Sequence, residues 1–342
     1  MPGHDIVVMG ASAGGVEALK AVVSGLPADI PASIFVVLHV PDNGTSVLPY
    51  ILDRSGPLPA SHARDMEEIR PGHIYVAPPD SHLLLKRGYI RLTRGPKENG
   101  HRPAVDPLFR TAARTYGKRV IGVILSGTLD DGTAGMIAIK KRGGLTIAQS
   151  PETALYAGMP LSAIENAPID YIIPVSEISA GLLRSVNEPV VGAEEEETMS
   201  DELEMEADIV ELDPESLRAE KRPGIPSRFT CPECNGVLWE IDDEGLLRFR
   251  CRVGHAYSSE SLLAGQFDVV ESALWAALRA LEENISLSSR VAMRMRRQGH
   301  SQTAERFDRR VSESEQQAEV LRLLLANRSS SDPAEVAASP GG

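Results

Sequence analysis

Two periodicities of apolar residues alternate along the first half of the chain. Ile6-Val7-Val8-Met9 is a short apolar run, as expected of a strand covered on both faces. Val16, Leu19, Val22 and Val23 then recur at helical spacing. The same exchange continues downstream. Residues 34–40 read as a second buried strand, and 45–52 as a helix ended by Ser55-Gly56-Pro57-Leu58-Pro59. A short strand lies within 71–80, and 83–85 and 89–92 form a hairpin turning at Lys86-Arg87-Gly88. A polar loop over 94–102 leads to a helix over 106–116, then to a buried strand over 119–125. A helix through Met136, Ile137 and Ile139, a strand at 145–148 and a helix at 159–167 follow. A strand at 171–174 and a helix at 175–183 complete the series. This order predicts an α/β domain over 1–187 with a mostly parallel, doubly wound sheet. Ligands in such sheets bind outside the carboxyl ends of the strands.

The pattern then changes three times. Between Glu194 and Glu215 stand twelve acidic residues and no Lys or Arg, nearly the whole of the net charge of −13. Residues 188–226 are therefore expected to be an acidic linker, a solvated spacer in which Leu203, Met205, Ile209, Val210 and Leu212 offer some docking surface. Next, over 227–260, Cys231-Pro232-Glu233-Cys234 and Cys251-Arg252-Val253-Gly254-His255 flank an alternating hairpin. A C-x-x-C pair alone also fits a redox site. With Cys251 and His255 added, four ligands on two turns fit a closed tetrahedral zinc site of Cys231, Cys234, Cys251 and His255. A small zinc-ribbon-like module with a structural Zn is thus expected. Finally, Val270, Leu274, Leu278, Leu281, Ile285 and Val291 make one apolar stripe; Ala304, Phe307, Val311, Ala318, Leu321 and Leu325 make another. Gly299-His300 separates them, which predicts an α-helical hairpin over 261–326 and a disordered tail over 327–342.

Composition narrows the function. The chain has 342 residues, of which 42% are hydrophobic, enough for a sizeable core. No run approaches the roughly 20 apolar residues of a membrane span, so no membrane insertion is expected. The start of the chain reads directly into the first strand without a leader, so a cytoplasmic location is expected. The acidic balance argues against nucleic acid as a partner.

Gly10-Ala11-Ser12-Ala13-Gly14 joins the first strand to its helix and fits the G-x-S-x-G turn that exposes a nucleophile. Those residues alone also fit a phosphate or dinucleotide cradle, or a plain turn with Ser12 as helix cap. His39 ends the second strand, and Asp131 follows the strand over 119–125. In a parallel sheet these three residues share one edge, as a nucleophile, its base and the acid that orients the base require. The cradle reading weakens, because Ser12 stands where a dinucleotide fingerprint needs its second glycine and the second strand ends in histidine, not an acid.

Five stretches carry a family resemblance: G-A-S-A-G-G at 10–15, H-V-P at 39–41, P-G-H-I-Y-V-A-P at 71–78, H-R-P-A-V-D at 101–106 and D-G-T-A-G-M at 131–136, with A-G-M-P at 157–160 beside them. Residues 5–187 resemble the catalytic domain of chemotaxis protein-glutamate methylesterases. The resemblance implies a serine hydrolase that removes methyl groups from glutamyl methyl esters of chemoreceptor-like proteins through an acyl-enzyme. Glutamine deamidation is implied by the same route. Ser12, His39 and Asp131 are the implied triad, Asp131 being chosen over Asp130 because the family aspartate precedes glycine. Backbone N–H groups of Thr128 and Ala13 are the implied oxyanion donors, and no catalytic cofactor is implied. Implied partners are a methylated chemoreceptor-like protein and, beyond it, a methyltransferase or a histidine kinase. The family commonly has threonine after the nucleophile, where this chain has Ala13, and G-M-G where this chain has Gly127-Thr128-Leu129. The chain begins at the catalytic strand, which reads as a stand-alone form without the receiver domain. The competing reading is an adaptor with a weak or silent esterase that binds partners through its C-terminal extension.

Overall fold

β1 (Ile6–Ala11) is buried along its whole length, as a strand with both faces covered must be. A computed structural model describes residues 3–41, 44, 46–190, 201–211, 224–243 and 245–328. In chain order, β1 is followed by α1 (Gly15–Ser24), β2 (Ser33–Leu38), α2 (Leu48–Asp53), β3 (Ala60–His62) and β4 (Ile74–Val76). The antiparallel hairpin β5 (His82–Lys86) and β6 (Tyr89–Thr93) precedes α3 (Val105–Tyr116) and β7 (Val120–Ile124). Then come α4 (Thr133–Lys141), β8 (Leu145–Gln149), α5 (Gly158–Asn166), β9 (Tyr171–Ile173) and α6 (Val175–Val186).

Among the described residues, seven strands form the main sheet in the order β3-β4-β2-β1-β7-β8-β9. Every pairing in it is parallel. Alternate side chains of β1 enter different cores. Ile6 and Val8 pack with α3, α4 and α5, whereas Val7, Met9 and Ala11 pack with α1, α2 and α6. The sheet is therefore doubly wound, and β2, β1 and β7 lie side by side at its centre. β3 has no counterpart in the sequence reading, because its three half-buried residues Ala60-Ser61-His62 carry no apolar run. The helix expected at 45–52 starts at Leu48, with Pro49 in its first turn; residue 45 lies outside the described residues.

The acidic stretch behaves differently from a spacer where it is described. Asp201–Val210 form a helix, α7, on which Glu206, Ala207, Ile209 and Val210 are buried. The physical reason is charge pairing. Glu206 accepts from both Arg248 and Arg250, and Arg250 also bonds Glu98, which in turn pairs with Arg110 of α3. Asp243 completes the set through Arg248. Three buried cations thus meet three buried anions, so that acids of this stretch fill a basic seam. Residues 191–200 and 212–223 of the expected linker, and 329–342 of the expected tail, lie outside the described residues.

β10 (Ile225–Thr230), β11 (Val237–Asp243), β12 (Leu246–Cys251) and β13 (Ala256–Ser258) form an antiparallel sheet in that order. The expected hairpin is β11 and β12. Leu238, Phe249, Tyr257 and Leu262 pack with Cys231 and Cys251 into a small core of their own. Two compact units divide the chain, Met1–Leu262 and Leu263–Gly342. The second unit takes in all but the first turn of the long helix Ser259–Arg297, which pairs there with Ser301–Arg328. Leu274, Leu278, Leu281 and Ile285 meet Ala318, Leu321 and Leu325. Arg322 pairs with Glu282 and Arg296 with Asp308, as antiparallel helices require. Val270, placed in the stripe by spacing, is 46% exposed, and the second helix extends through Arg328 into the expected tail. Among the described residues no helix is long and apolar enough to cross a membrane.

Glu206 supplies a test of this packing. Burial opposes its ionisation, but Arg248, Arg250 and Arg110 outweigh that and hold its carboxyl well below the ordinary range. Glu206→Ala leaves Arg248 and Arg250 without a major partner and is expected to cost about 3–5 kcal/mol in denaturant unfolding of the full chain. The sign with pH follows from the depressed value: the contribution is present above the unfolded value of 4.5 and drains as pH falls below it. Glu206→Gln should flatten that acid-side loss. A cost under about 1 kcal/mol would mean α7 is held by something else.

Candidate active site

The β1 and β2 register pairs Gly10 with Val37 and Ala11 with Leu38. One step further, the His39 N–H donates to the Ala11 carbonyl at 3.2 Å, which brings His39 alongside Ser12 beyond the strand ends. On the other flank the Ser12 N–H donates to the Ser126 carbonyl at 3.0 Å, just past β7. Gly14, at φ 71°, is the N-cap of α1, so Ser12 is not the cap. A Cβ on Gly14 would stand 2.7 Å from Ser126 Oγ and 2.9 Å from Leu155 Cβ, so both the left-handed turn and the space require glycine. Ser12 stays partly exposed on this turn.

Asp131 is buried and accepts four hydrogen bonds. His39 Nε2 lies 2.7 Å from Oδ2, and the Val105 N–H donates to the same oxygen at 2.7 Å. Asn99 Nδ2 and the Asp106 N–H donate to Oδ1 at 2.9 and 3.2 Å. Val105 and Asp106 open α3, so the carboxylate also caps the positive end of that helix. Burial works against ionisation, but the His39 bond and charge and the Val105 and Asn99 donors prevail and hold the Asp131 carboxyl far below the ordinary range. Its neighbours go the other way. Burial, with the Asp131 charge beside it, pushes Asp106 up to about 8. Burial pushes Asp130 up to about 7. Of the two adjacent aspartates, Asp131 receives His39, while Asp130 receives Ser258 Oγ at 2.6 Å.

The His39 side chain is only 5% exposed, and its Nδ1 has no hydrogen-bond partner among the described residues. The His101 ring stacks on it, 3.7 Å between centroids and 13° from parallel. An anion at Nε2 and a vacant Nδ1 make Nδ1 the atom able to take a proton from a neighbouring hydroxyl.

Ser126 locks three loops together. Its hydroxyl lies 2.8 Å from the Ala13 carbonyl and accepts the Tyr156 N–H at 3.0 Å, and its own N–H donates to Gln149 Oε1. Gly127 is closed in as well: a Cβ there would meet Met159 Sδ at 2.0 Å and Ser12 Cβ at 3.0 Å. The N–H groups of Ala13 and Thr128 donate to no backbone or side-chain acceptor among the described residues. Leu129 sits at φ 59°, a left-handed conformation that costs about 1–2 kcal/mol outside glycine. The leucine that replaces the glycine of the G-M-G pattern is thus held where glycine would sit without strain, against Gly158, whose Cβ would come within 2.9 Å of the Leu129 nitrogen.

The ligand atoms of Cys231, Cys234, Cys251 and His255 all lie within 4.8 Å of one another, as a group able to hold a metal ion. Cys234 Sγ and Cys251 Sγ are 3.6 Å apart, and His255 Nδ1 is 3.7 Å from Cys231 Sγ and 3.5 Å from Cys251 Sγ. Tyr257 Oη adds a contact of 3.6 Å to Cys231 Sγ.

Spacing and strand ends single out Ser12, His39 and Asp131, but not Asn99, Ser126, Ser258 or Ser261. Asn99 belongs to a stretch that reads only as a polar loop, although H-R-P-A-V-D just after it belongs to the resemblance. Ser258 ends β13 and Ser261 lies in the first turn of the helix that follows, where capping is the ordinary expectation.

A family model described as CheB methylesterase matches residues 7–182. A protein-glutamate methylesterase/protein-glutamine glutaminase of Anaeromyxobacter dehalogenans is 43% identical over 178 residues, 52% of each chain. One of Pseudomonas aeruginosa is 41% identical over 183 residues, again 52% of each chain. This chain thus spans about half the length of the curated relatives it matches. The crystal structure of the Thermotoga maritima CheB methylesterase catalytic domain is similar at a TM-score of 0.52 and 40% identity, over 53% of this chain and 97% of that one.

The geometry fixes a tautomer that can be checked without substrate. In the neutral imidazole, ¹⁵N-detected spectra should show His39 protonated at Nε2 and bare at Nδ1. A proton on Nδ1 with a bare Nε2 is incompatible with the bond to Asp131.

Proposed function

Because this chain belongs to the CheB methylesterase family, we propose that it hydrolyses glutamyl methyl esters on a methylated chemoreceptor-like protein, releasing methanol. The observation that carries this reading is the Nε2 bond from His39 to Asp131, which leaves Nδ1 unpartnered, on a histidine whose backbone pairs with Ala11 next to Ser12. Ser12 Oγ attacks the ester carbonyl as His39 Nδ1 takes its proton. The Ala13 and Thr128 N–H groups receive the charge that develops on the carbonyl oxygen. Collapse expels methoxide, which takes the proton from His39 and leaves as methanol. Water then repeats the sequence on the glutamyl–Ser12 ester and restores both the serine and a free glutamate. Asp131 stays ionised throughout, fixing the tautomer and stabilising the imidazolium.

The two named relatives carry glutaminase in their names as well, and a primary amide fits the same route with ammonia as leaving group. Deamidation of receptor glutamines is therefore the second reaction we assign. Leu155 and Tyr156, exposed beside the Gly14 turn, offer an apolar rim to a receptor helix. A methyltransferase that writes the esters and a histidine kinase downstream of the receptor are the further partners of this reading, and the cytoplasm is its location. Catalysis needs no cofactor, and the residues that touch substrate lie within 1–187.

Zinc is the ion we assign to Cys231, Cys234, Cys251 and His255. Zn–S bonds of about 2.3 Å and Zn–N bonds of about 2.0–2.1 Å give tetrahedral edges of about 3.5–3.8 Å; three of the six separations lie at 3.5–3.7 Å, and all lie within 4.8 Å. Four protein ligands leave no open position, so the ion's part is structural: it ties the Cys231 and Cys251 turns of the second sheet together.

Two outcomes follow. Methanol release from methylated receptor should fall at least about a thousandfold in Ser12→Ala and in Asp131→Asn with folding intact; release at the wild-type rate from Ser12→Ala would remove the assignment. The purified chain should hold one zinc, and Cys251→Ser should lose it. Metal content that does not change in Cys251→Ser would rule out this ligand set.

A further inference from the structure

Asn99 is buried between the catalytic sheet and β13, in a left-handed conformation at φ 52° that asparagine tolerates better than most residues. Its N–H donates to the Ala256 carbonyl at 2.8 Å, which fixes its backbone to β13. Its side chain makes four hydrogen bonds, two in each direction. Oδ1 accepts the Ser258 N–H at 3.0 Å and Ser261 Oγ at 2.9 Å. Nδ2 donates to Asp131 Oδ1 at 2.9 Å and to Asp106 Oδ2 at 3.0 Å. The orientation of the amide is unambiguous, because a backbone N–H can only donate and must therefore face the oxygen. Ser258 Oγ lies 2.8 Å from Ser261 Oγ and donates to Asp130.

We propose that Asn99 is a positioning residue for the reaction, and that the Ser258–Ser261 turn, from the segment carrying the Cys/His cluster, completes the active site by holding it. The inference rests on the esterase reading given above. A carboxylate with four donors has one stable orientation, and removing one donor frees it to rotate away from His39. Asn99 touches no reacting atom and acts only through Asp131. The second sheet then does more than cover a surface, because it supplies the two bonds that aim the Asn99 amide at the triad aspartate. A catalytic sheet lacking the Ser258–Ser261 turn would have to satisfy Asn99 Oδ1 in another way.

The test measures kcat and KM for methanol release, and the rate at which a fluorophosphonate labels Ser12, for the full chain and four variants. The labelling rate needs an activated serine but no receptor substrate. Asn99→Ala should lower kcat about tenfold, with KM within about twofold and labelling slowed in parallel. Ser261→Ala should lower both rates about threefold in the same sense, and Ser261→Thr, which keeps the hydroxyl, should restore them. The Asn99→Ala/Ser261→Ala double variant should be no slower than Asn99→Ala alone, because both changes break one path. Rates are expressed per labelled serine, so a fold weakened without a positioning effect leaves them unchanged. Unchanged rates in Asn99→Ala and Ser261→Ala, or costs that multiply in the double variant, overturn the proposal. If the wild type labels but releases no methanol, the esterase reading fails, and the labelling ratios alone then support or overturn the role of Asn99.

Discussion

The buried bond between His39 and Asp131 is the constraint around which the sheet edge is built. A carboxylate without solvent stays charged only if the protein supplies what water would have supplied. Here the supply comes from three places: the imidazole at the end of β2, two N–H groups at the start of α3, and Asn99. Each of those places is fixed by something else. β2 is fixed by its register with β1, α3 by its packing on the sheet, and Asn99 by β13. The geometry of this edge is thus a consequence of topology, since parallel strands in the order β2-β1-β7 bring three chain-distant ends together.

Charge is used twice in this molecule, with opposite effect. Next to the His39–Asp131 bond, burial favours the neutral form of Asp106 and Asp130, so Asp131 is the one firmly charged acid among three close neighbours. At the seam between α3, α7 and β12, Glu98, Glu206 and Asp243 are matched by Arg110, Arg248 and Arg250. Such a cluster adds little net stability relative to an apolar seam, but breaking it is costly.

The doubly wound sheet was legible in the sequence because fully buried strands and amphipathic helices have unmistakable periods. The edge residues Ser12, His39 and Asp131 were legible because each follows such a strand. The Cys/His cluster was legible because thiols and imidazole at short spacing have few other uses. What escaped was whatever depends on partners distant in the chain. Glu206 looks like one more acid in a repelling run until Arg248 and Arg250 are seen beside it. Ser126, Ser258 and Ser261 look like ordinary loop and cap residues, and Asn99 like loop filler, because a hydrogen-bond network leaves no period. Leu129 shows a third limit, since its left-handed backbone is set by the loops around it and not by its own preference.

Trapping the covalent intermediate tests the central claim most directly. The full chain, quenched with acid during turnover of a methyl-esterified receptor fragment, is digested and the peptide containing Ser12 is weighed by mass spectrometry. The account predicts a glutamyl acyl group on Ser12 in a fraction of the molecules, and neither adduct nor methanol above background in Ser12→Ala. Steady methanol release with the acyl group on another residue, or with full release from Ser12→Ala, would contradict it.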